Sequence, residues 1–397
     1  MSKVDRCVAA VRCTSYRSDE LDNGLERLWE YLGADELVWP GATVLLKVNC
    51  LGPYAEEKGV TTHPAVVRAL CRMVSERGAR VQVGDSAGGA TGQAFTHRAL
   101  EISGIARVAR EAGAEVVNFD ARPAVPVENP RPGGPNPLYI AAAAREADVI
   151  INVAKLKTHL LTGLTAAVKN SFGCLPGAYK QILHREYPRV DEFSQVVLDI
   201  SDVVGPRLHV VEAVVAMEGN GPSGGTLVEC GLLLGARSAL DADLAAALAA
   251  GWDPFEVSTN RAGRDRGLLQ AGAKPLVVGD GLRTTCGRPL RRPLTAGWLA
   301  RVPLPLLRLG VRLYEPALDI DAGLCNACGL CAQACPAQAM TVATAARIDN
   351  ARCIRCYCCV ELCSRQAARI VRRWRPRLGQ HSSVCERQAD RGSPGCR

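Results

Sequence analysis

Apolar and polar residues are distributed differently in two unequal parts of the chain. Up to about residue 280, short apolar runs alternate with longer stretches of helical period. Ala42–Val48 reads ATVLLKV, Ala79–Gly84 ARVQVG and Ala147–Val153 ADVIINV, each with the length and content of a buried strand. Glu115–Phe119, Arg207–Met217, Leu227–Ala236 and Lys274–Gly279 read as further strands. Pro64–Arg77, Arg98–Ala112, Phe193–Val204 and Ala239–Ala250 carry helical periodicity, and the first opens on Thr62, His63 and Pro64, which suit a helix start. Strands separated by helices predict an α/β fold with a mostly parallel, helix-covered sheet over residues 1–280.

The pattern then changes. Residues 281–318 hold five prolines among Arg and Leu and read as a basic linker, with a short amphipathic element around Trp298–Leu313. Residues 319–375 are expected to form a small α+β domain. Residues 376–397 are polar and aperiodic, as in a disordered tail.

Composition narrows the function. The 397 residues are 48% hydrophobic and 22% charged, as in a globular protein. The net charge of +8 is uneven: 12 Arg and 6 acids from Pro316 onward, against 36 basic and 34 acidic residues before it. A nearly neutral body argues against nucleic-acid binding. Arg283–Arg312 holds seven Arg and no acid, a rim that could meet an acidic partner, a membrane surface or nothing specific. Met1–Ser15 lacks the apolar core of a secretory signal, and no run of 18 uncharged apolar residues suggests a membrane span. The expected location is cytoplasmic and reducing, where 18 cysteines imply metal or redox chemistry instead of disulfides.

Eight cysteines form a repeat. Cys325, Cys328, Cys331 and Cys335 have the spacing C-x2-C-x2-C-x3-C, and Cys353, Cys356, Cys359 and Cys363 repeat it with an offset of 28 residues. The offset also relates Ile320-Asp321 to Ile348-Asp349 and Gln338 to Gln366, so a whole unit is duplicated. Three thiolates two residues apart can hold three irons of a cubane, and the fourth iron needs a ligand from elsewhere. The segment resembles bacterial two-cluster ferredoxins, in which the fourth cysteine of each run serves the other cluster. The resemblance implies two 4Fe-4S clusters, one on Cys325, Cys328, Cys331 and Cys363, the other on Cys353, Cys356, Cys359 and Cys335. Zinc is the alternative that paired C-x2-C elements allow, and duplicated three-cysteine runs disfavour it. Cys358 is an extra thiol beside the second run. Arg352, Arg355 and Arg365 surround that run, so its cluster is expected to be the easier to reduce.

A second constellation comes from the lysines. The chain has 40 Arg and only 8 Lys, yet Lys155, Lys157, Lys169 and Lys180 fall within 26 residues, with His159 and His184 in or beside them. If the strand at Ala147–Val153 continues, Lys155, Lys157 and His159 share one face at its carboxyl end, where open α/β sheets bind ligands. Lys157, His159 and Lys169 are the candidate catalytic residues. Lys47 and Asn49, Asp85 and Ser86, Lys155, Asn170, His184, Glu218 and Asn220 are candidate ligands for a small anionic substrate. A solvated basic loop is the competing reading. Cys174 reads as a small buried residue or as a reactive thiol.

Lys47-Val48-Asn49, Thr62-His63-Pro64, Gly84-Asp85-Ser86, Lys155–His159, Val168-Lys169-Asn170 and Glu218–Pro222 together resemble the uncharacterised family catalogued as domain of unknown function 362. The resemblance spans residues 40–280 and implies an iron–sulfur protein with an electron-transfer role, but no agreed reaction. The expected function is an iron–sulfur redox protein in which the ferredoxin module exchanges electrons with a substrate or cofactor held by the α/β domain; whether it is a ferredoxin-coupled oxidoreductase is left open by the sequence. The alternatives are an electron-transfer protein that docks a redox partner, and a binding or assembly protein with structural or sensing clusters.

Overall fold

A nine-stranded mixed sheet organises the larger domain. The computed structural model describes residues 7–88, 92–282 except 178 and 188, 287–293, and 314–374 except 334, 336, 354–358, 361, 362 and 364. The amphipathic element expected around Trp298–Leu313, the tail 376–397, Cys356 and Cys358 lie outside the described residues.

The strands are β1 (Cys7–Arg12), β2 (Thr43–Lys47), β3 (Arg80–Asp85), β4 (Glu115–Asn118), β5 (Val125–Val127), β6 (Leu138–Ile140), β7 (Val149–His159), β8 (Gly163–Thr165), β9 (Leu208–Glu218), β10 (Thr226–Ala236) and β11 (Leu276–Gly279). The sheet order is β11-β1-β10-β9-β7-β2-β3-β4, with β8 on β7, while β5 and β6 pair separately. The run β9-β7-β2-β3-β4 is parallel throughout, and β11 is parallel to β1. β10 runs antiparallel to both β1 and β9, so the sheet is mostly parallel but mixed.

Alternation along the strands builds a core on each face. Val44 and Leu46 join Val81, Val83, Val149 and Ile151 on the side covered by α1 (Ser18–Tyr31) and α2 (Pro64–Glu76). Leu45 and Ile150 join Phe172, Phe193 and Val197 on the other. The α2 start is built as its sequence suggests: Pro64 occupies the first turn, and His63 Nδ1 accepts the Ala65 N–H at 3.2 Å. The helix expected over Arg98–Ala112 is two helices, Gln93–Ile102 and Ile105–Glu111. Gly104, at φ +77°, separates them in a conformation that a helix interior cannot hold.

Residues 287–293 belong to the α/β domain instead of hanging free. Leu290 is buried against the Ala-rich helix region, and its carbonyl accepts the Trp252 indole N–H at 2.9 Å. The small module begins inside the stretch expected as linker, because β12 (Tyr314–Ile320) pairs antiparallel with β15 (Ala368–Trp374). Between them β13 (Met340–Val342) pairs with β14 (Ala346–Ile348). The 28-residue offset survives in three dimensions. Gln338 and Gln366 both have positive φ, 49° and 55°, and each donates its N–H to the carbonyl of Cys335 or Cys363, three residues earlier.

Candidate functional site

In the module, Cys325, Cys328, Cys331 and Cys363 line one cavity with Ala346, Arg365 and Ala367. This is the cross-run ligand set expected from the ferredoxin spacing. Backbone N–H groups point at the sulfurs: Ala346 N–H to Cys325 Sγ at 3.3 Å, Ala367 N–H to Cys363 Sγ at 3.2 Å and, one repeat earlier, Ala339 N–H to Cys335 Sγ at 3.2 Å. Such donors favour thiolate sulfur and tune a bound cluster. Burial pushes the Cys331 thiol up to about 11, and the neighbouring Cys328, Cys363 and Cys325 thiols add to it. The four sulfurs therefore crowd one space and suit an iron–sulfur cage. Among the described residues, no three His, Cys, Asp or Glu side chains converge as ligands of a single metal ion would. Of the second set, buried Cys359 sits in a small core with Leu318 and Ala368, against which Cys353 packs, as do Cys331 and Cys363 of the first set. Arg365 was expected beside the second run but lines the first cavity, because Cys363, two residues before it, belongs to that set.

The second site is a cleft at the carboxyl ends of the parallel strands. Asn49, Cys50 and Leu51 follow β2, Asp85, Ser86 and Gly88 end or follow β3, and Lys157 and His159 close β7. Thr165, Lys169, Asn170, Phe172, Gly173, Lys180 and Pro222 complete the wall. The three strand ends converge because their hydrophobic stems pair in register, β2 lying between β3 and β7.

Most of these side chains are buried, which rejects the solvated-loop reading. Lys47 Nζ lies 3.0 Å from Asp85 Oδ1, and the two side chains are 1% and 3% exposed. Asp85 also accepts the Cys50 and Ser86 N–H groups, at 2.6 and 2.8 Å. Lys180 donates to the Ser86 and Ala87 carbonyls and to Ser86 Oγ, between 2.6 and 2.8 Å, which clamps the β3 loop. Lys157 Nζ donates to the Val60 carbonyl at 2.5 Å. Burial, then the Lys155 and Lys169 charges, push Lys157 down to about 7. Lys169 sits over the Phe172 ring, 4.3 Å from its centroid. His159 Nδ1 accepts two backbone N–H groups, from Leu161 and Thr162, each at 3.2 Å. That places the ring proton on Nε2, and burial holds the imidazole well below its ordinary range.

Two acceptors complete the picture. Asn170 donates Nδ2 to Asn152 Oδ1 at 2.7 Å, but its own Oδ1 and that of Asn49 are buried with no partner among the described residues. Lys157, Lys169 and Lys180, with Lys47 behind them, outnumber Asp85 and Asp120, which accepts the Ser86 hydroxyl at 2.7 Å. The arrangement can hold a small anion that also carries an N–H or O–H donor.

Seven sequence-derived candidates line the cleft: Asn49, Asp85, Ser86, Lys157, His159, Lys169 and Asn170. The others are placed elsewhere. Lys47 supports Asp85 from behind. Lys155 is consumed by Glu212 at 2.8 Å and by the Tyr16 hydroxyl at 3.0 Å, next to a Tyr16–His63 stack. His184 stacks on Phe193 and meets the edge of Phe172, and burial pushes it down to about 3. Glu218 receives Arg288 and Arg291 at 2.8 and 2.7 Å, and Asn220 lies beyond the cleft wall. Cys174 is fully buried, and burial raises it to about 12, so the small-residue reading holds over the reactive thiol. Lys180 was counted among the rare lysines without a role, and it proves to be a wall of the site. Gly173 was missed; a Cβ there would run into Asp85 and Lys47.

Comparison with known proteins agrees with both parts. A domain of unknown function (DUF362) matches residues 44–248, and a 4Fe-4S binding domain matches residues 318–341, which contain the first cysteine run. The chain thus carries at least one 4Fe-4S site. It is 31% identical over 274 residues to a thylakoid-associated protein of Synechocystis sp., covering 68% of this chain and 82% of that one. Among solved structures, the lactate racemase apoprotein from Thermoanaerobacterium thermosaccharolyticum overlaps 60% of this chain at 13% identity, with a TM-score of 0.37. A Thermotoga maritima protein overlaps 52% at 13% identity, with a TM-score of 0.33. The chain spans only about half the length of either, 55% and 52%. No helix among the described residues is long and apolar enough to cross a membrane. By the match over half its length and by this relative, the chain belongs to the DUF362 family.

Proposed function

We propose that this is an iron–sulfur redox protein in which a module with two 4Fe-4S clusters exchanges electrons with a small anion bound in the strand-end cleft. The observation that carries the reading is the cleft itself: buried Lys157 and half-buried Lys169 beside an Oδ1 of Asn170 that has no partner among the described residues. Buried cations and an unsatisfied buried acceptor cost stability and are retained where a ligand completes them. When bound, the clusters supply one-electron chemistry. The chain's own residues do the rest. Lys157 and Lys169 hold negative charge, Asn49 and Asn170 accept the ligand's donor, and His159 presents Nε2–H. With a pKa near neutrality, Lys157 is suited to carry a proton on or off the bound molecule.

The second cluster extends the pattern of the first through the 28-residue repeat, with Cys335, Cys353, Cys356 and Cys359 as its ligands. A separate redox partner, a one-electron carrier protein, is needed at the far end. The competing reading is a docking protein that uses the basic stretch Arg283–Arg312, of whose arginines only Arg288, Arg291 and Arg292 are among the described residues. Arg288 and Arg291 are committed to Glu218, and Arg292 to Glu256.

The test is anaerobic purification with iron and sulfide analysis, followed by identification of any co-purifying small molecule. Expected are about eight irons per chain and a bound anion that Lys157→Ala releases while leaving the iron content unchanged. Retention of that anion by Lys157→Ala would overturn the cleft reading.

A further inference from the structure

The module meets the α/β domain on the side of its first ligand set. Gln366, three residues after Cys363, donates Nε2 to the Gly224 carbonyl. A Cβ at Gly224 would collide with that Gln366 side chain, so the contact requires a bare backbone. Leu330, adjacent to Cys331, packs on the α/β core. Tyr54 is 5% exposed, bonds to Ser223, and lies within electrostatic reach of the Cys363 and Cys328 thiols. On its other side Tyr54 packs with Leu51, Val60 and Met217. Leu51 lines the cleft, and the Val60 carbonyl receives Lys157 Nζ. Pro222, next to Ser223, also lines the cleft. Tyr54 therefore packs behind the cleft wall and within electrostatic reach of two sulfurs of the first set.

We propose that the cluster held by Cys325, Cys328, Cys331 and Cys363 is the one that faces the cleft, and that Tyr54 is the positioning residue coupling it to the anion at Lys157. This rests on the cleft reading above. A crossing moves one electron and breaks no bond. The small anion at the inner end and the one-electron carrier protein at the outer end each change by one electron. Two consequences follow from electrostatics. An anion in the cleft adds negative charge near this cluster and makes it harder to reduce, and reduction in turn weakens anion binding. The cluster on the other ligand set, none of whose described cysteines is among the thiols within reach of Tyr54, is expected to respond less.

The test is an anaerobic redox titration of the full chain, followed by electron paramagnetic resonance. Cys325→Ser identifies the signal of the first set. Tyr54→Phe keeps the ring and removes the bond to Ser223; Tyr54→Leu removes the ring. Both are expected to shift the midpoint of that signal alone. Inorganic phosphate, as an anion probe, is expected to lower the same midpoint in the wild type, and less in Tyr54→Leu and Lys157→Met. Unchanged midpoints in both Tyr54 variants, or a shift confined to the other signal, would overturn the inference. A Tyr54-sensitive midpoint with no phosphate response supports the placement of the cluster and counts against the anion reading, so the two ideas fail separately.

Discussion

Lys47 Nζ lies 3.0 Å from Asp85 Oδ1 at the ends of two neighbouring parallel strands, with both side chains out of water. The pair is a buried ion pair whose carboxylate also collects two backbone N–H groups. Removing one partner leaves an uncompensated charge. Asp85→Asn should cost about 3–5 kcal/mol, measured by denaturant unfolding, and should distort the β3 loop that Lys180 clamps. A loss below about 1 kcal/mol would show that water reaches the pair.

Lys157 makes stability and binding move in opposite directions with pH. Its folded-state value, about 7, lies below the ordinary lysine value of about 10.4. Between those two pH values the unfolded chain binds one more proton, so this group makes stability rise with pH across the window. Below about 7 the full penalty of the buried charge applies. Affinity for an anion should fall as pH rises through about 7, where the folded chain loses the ammonium. Unfolding curves from about pH 7 to about pH 10 should be flatter in Lys157→Met than in wild type, and the variant should bind phosphate weakly at all pH values.

The two cysteine runs should fail crosswise. Cys363→Ser lies in the second run but should damage the site built on Cys325, Cys328 and Cys331. Cys335→Ser lies in the first run and should damage the other. Iron analysis and electron paramagnetic resonance of each variant decide the matter. Loss confined to the mutated run would require local ligation.

Arg365 faces the first cavity, so Arg365→Gln should lower the midpoint of that cluster, and Arg352→Gln that of the second. The expectation that the second cluster is easier to reduce then rests on Arg352 and Arg355 alone. Equal midpoints in wild type would mean that Arg365 offsets them.

Glu218 is held well below the usual carboxylate range, at about 2, first by Arg288 and then, against its burial, by Arg291. Glu218→Gln should free residues 287–293, and limited proteolysis should then cut near Arg288 in the variant before the wild type. Equal cutting rates would show that Leu290 and Trp252 suffice to hold the segment.

Several features were legible in the sequence because each follows from a local rule. The buried strands Ala42–Val48 and Ala147–Val153, the Pro64 helix start and the cysteine offset need only spacing and residue type. Seven cleft residues were found because strand ends converge in parallel sheets and because lysine is scarce here. The misses were non-local. Lys155 looked equivalent to Lys157 until Glu212 arrived from β9, and His184 looked polar until Phe172 and Phe193 enclosed it. Arg365 was assigned by its neighbours in sequence, whereas cross-run ligation assigns it by its neighbours in space. β1 escaped notice because CVAAVR is short and Ala-rich; its place in the sheet comes from pairing with β10 and β11.

The register between β7 and β9 jumps after Lys155 meets Glu212: Lys157 next meets Met217. Two residues on one strand face five on the other, so β9 runs ahead of its partner. Its trailing turn, Glu218 to Gly225, is thereby carried to the mouth of the cleft, where Pro222 faces the ligand side and Gly224 faces the module. A small irregularity in pairing thus acts as a spacer. Shortening β9 by those extra residues would remove buried Ala213, Val214 or Ala216 and draw the turn back from both the cleft and the module.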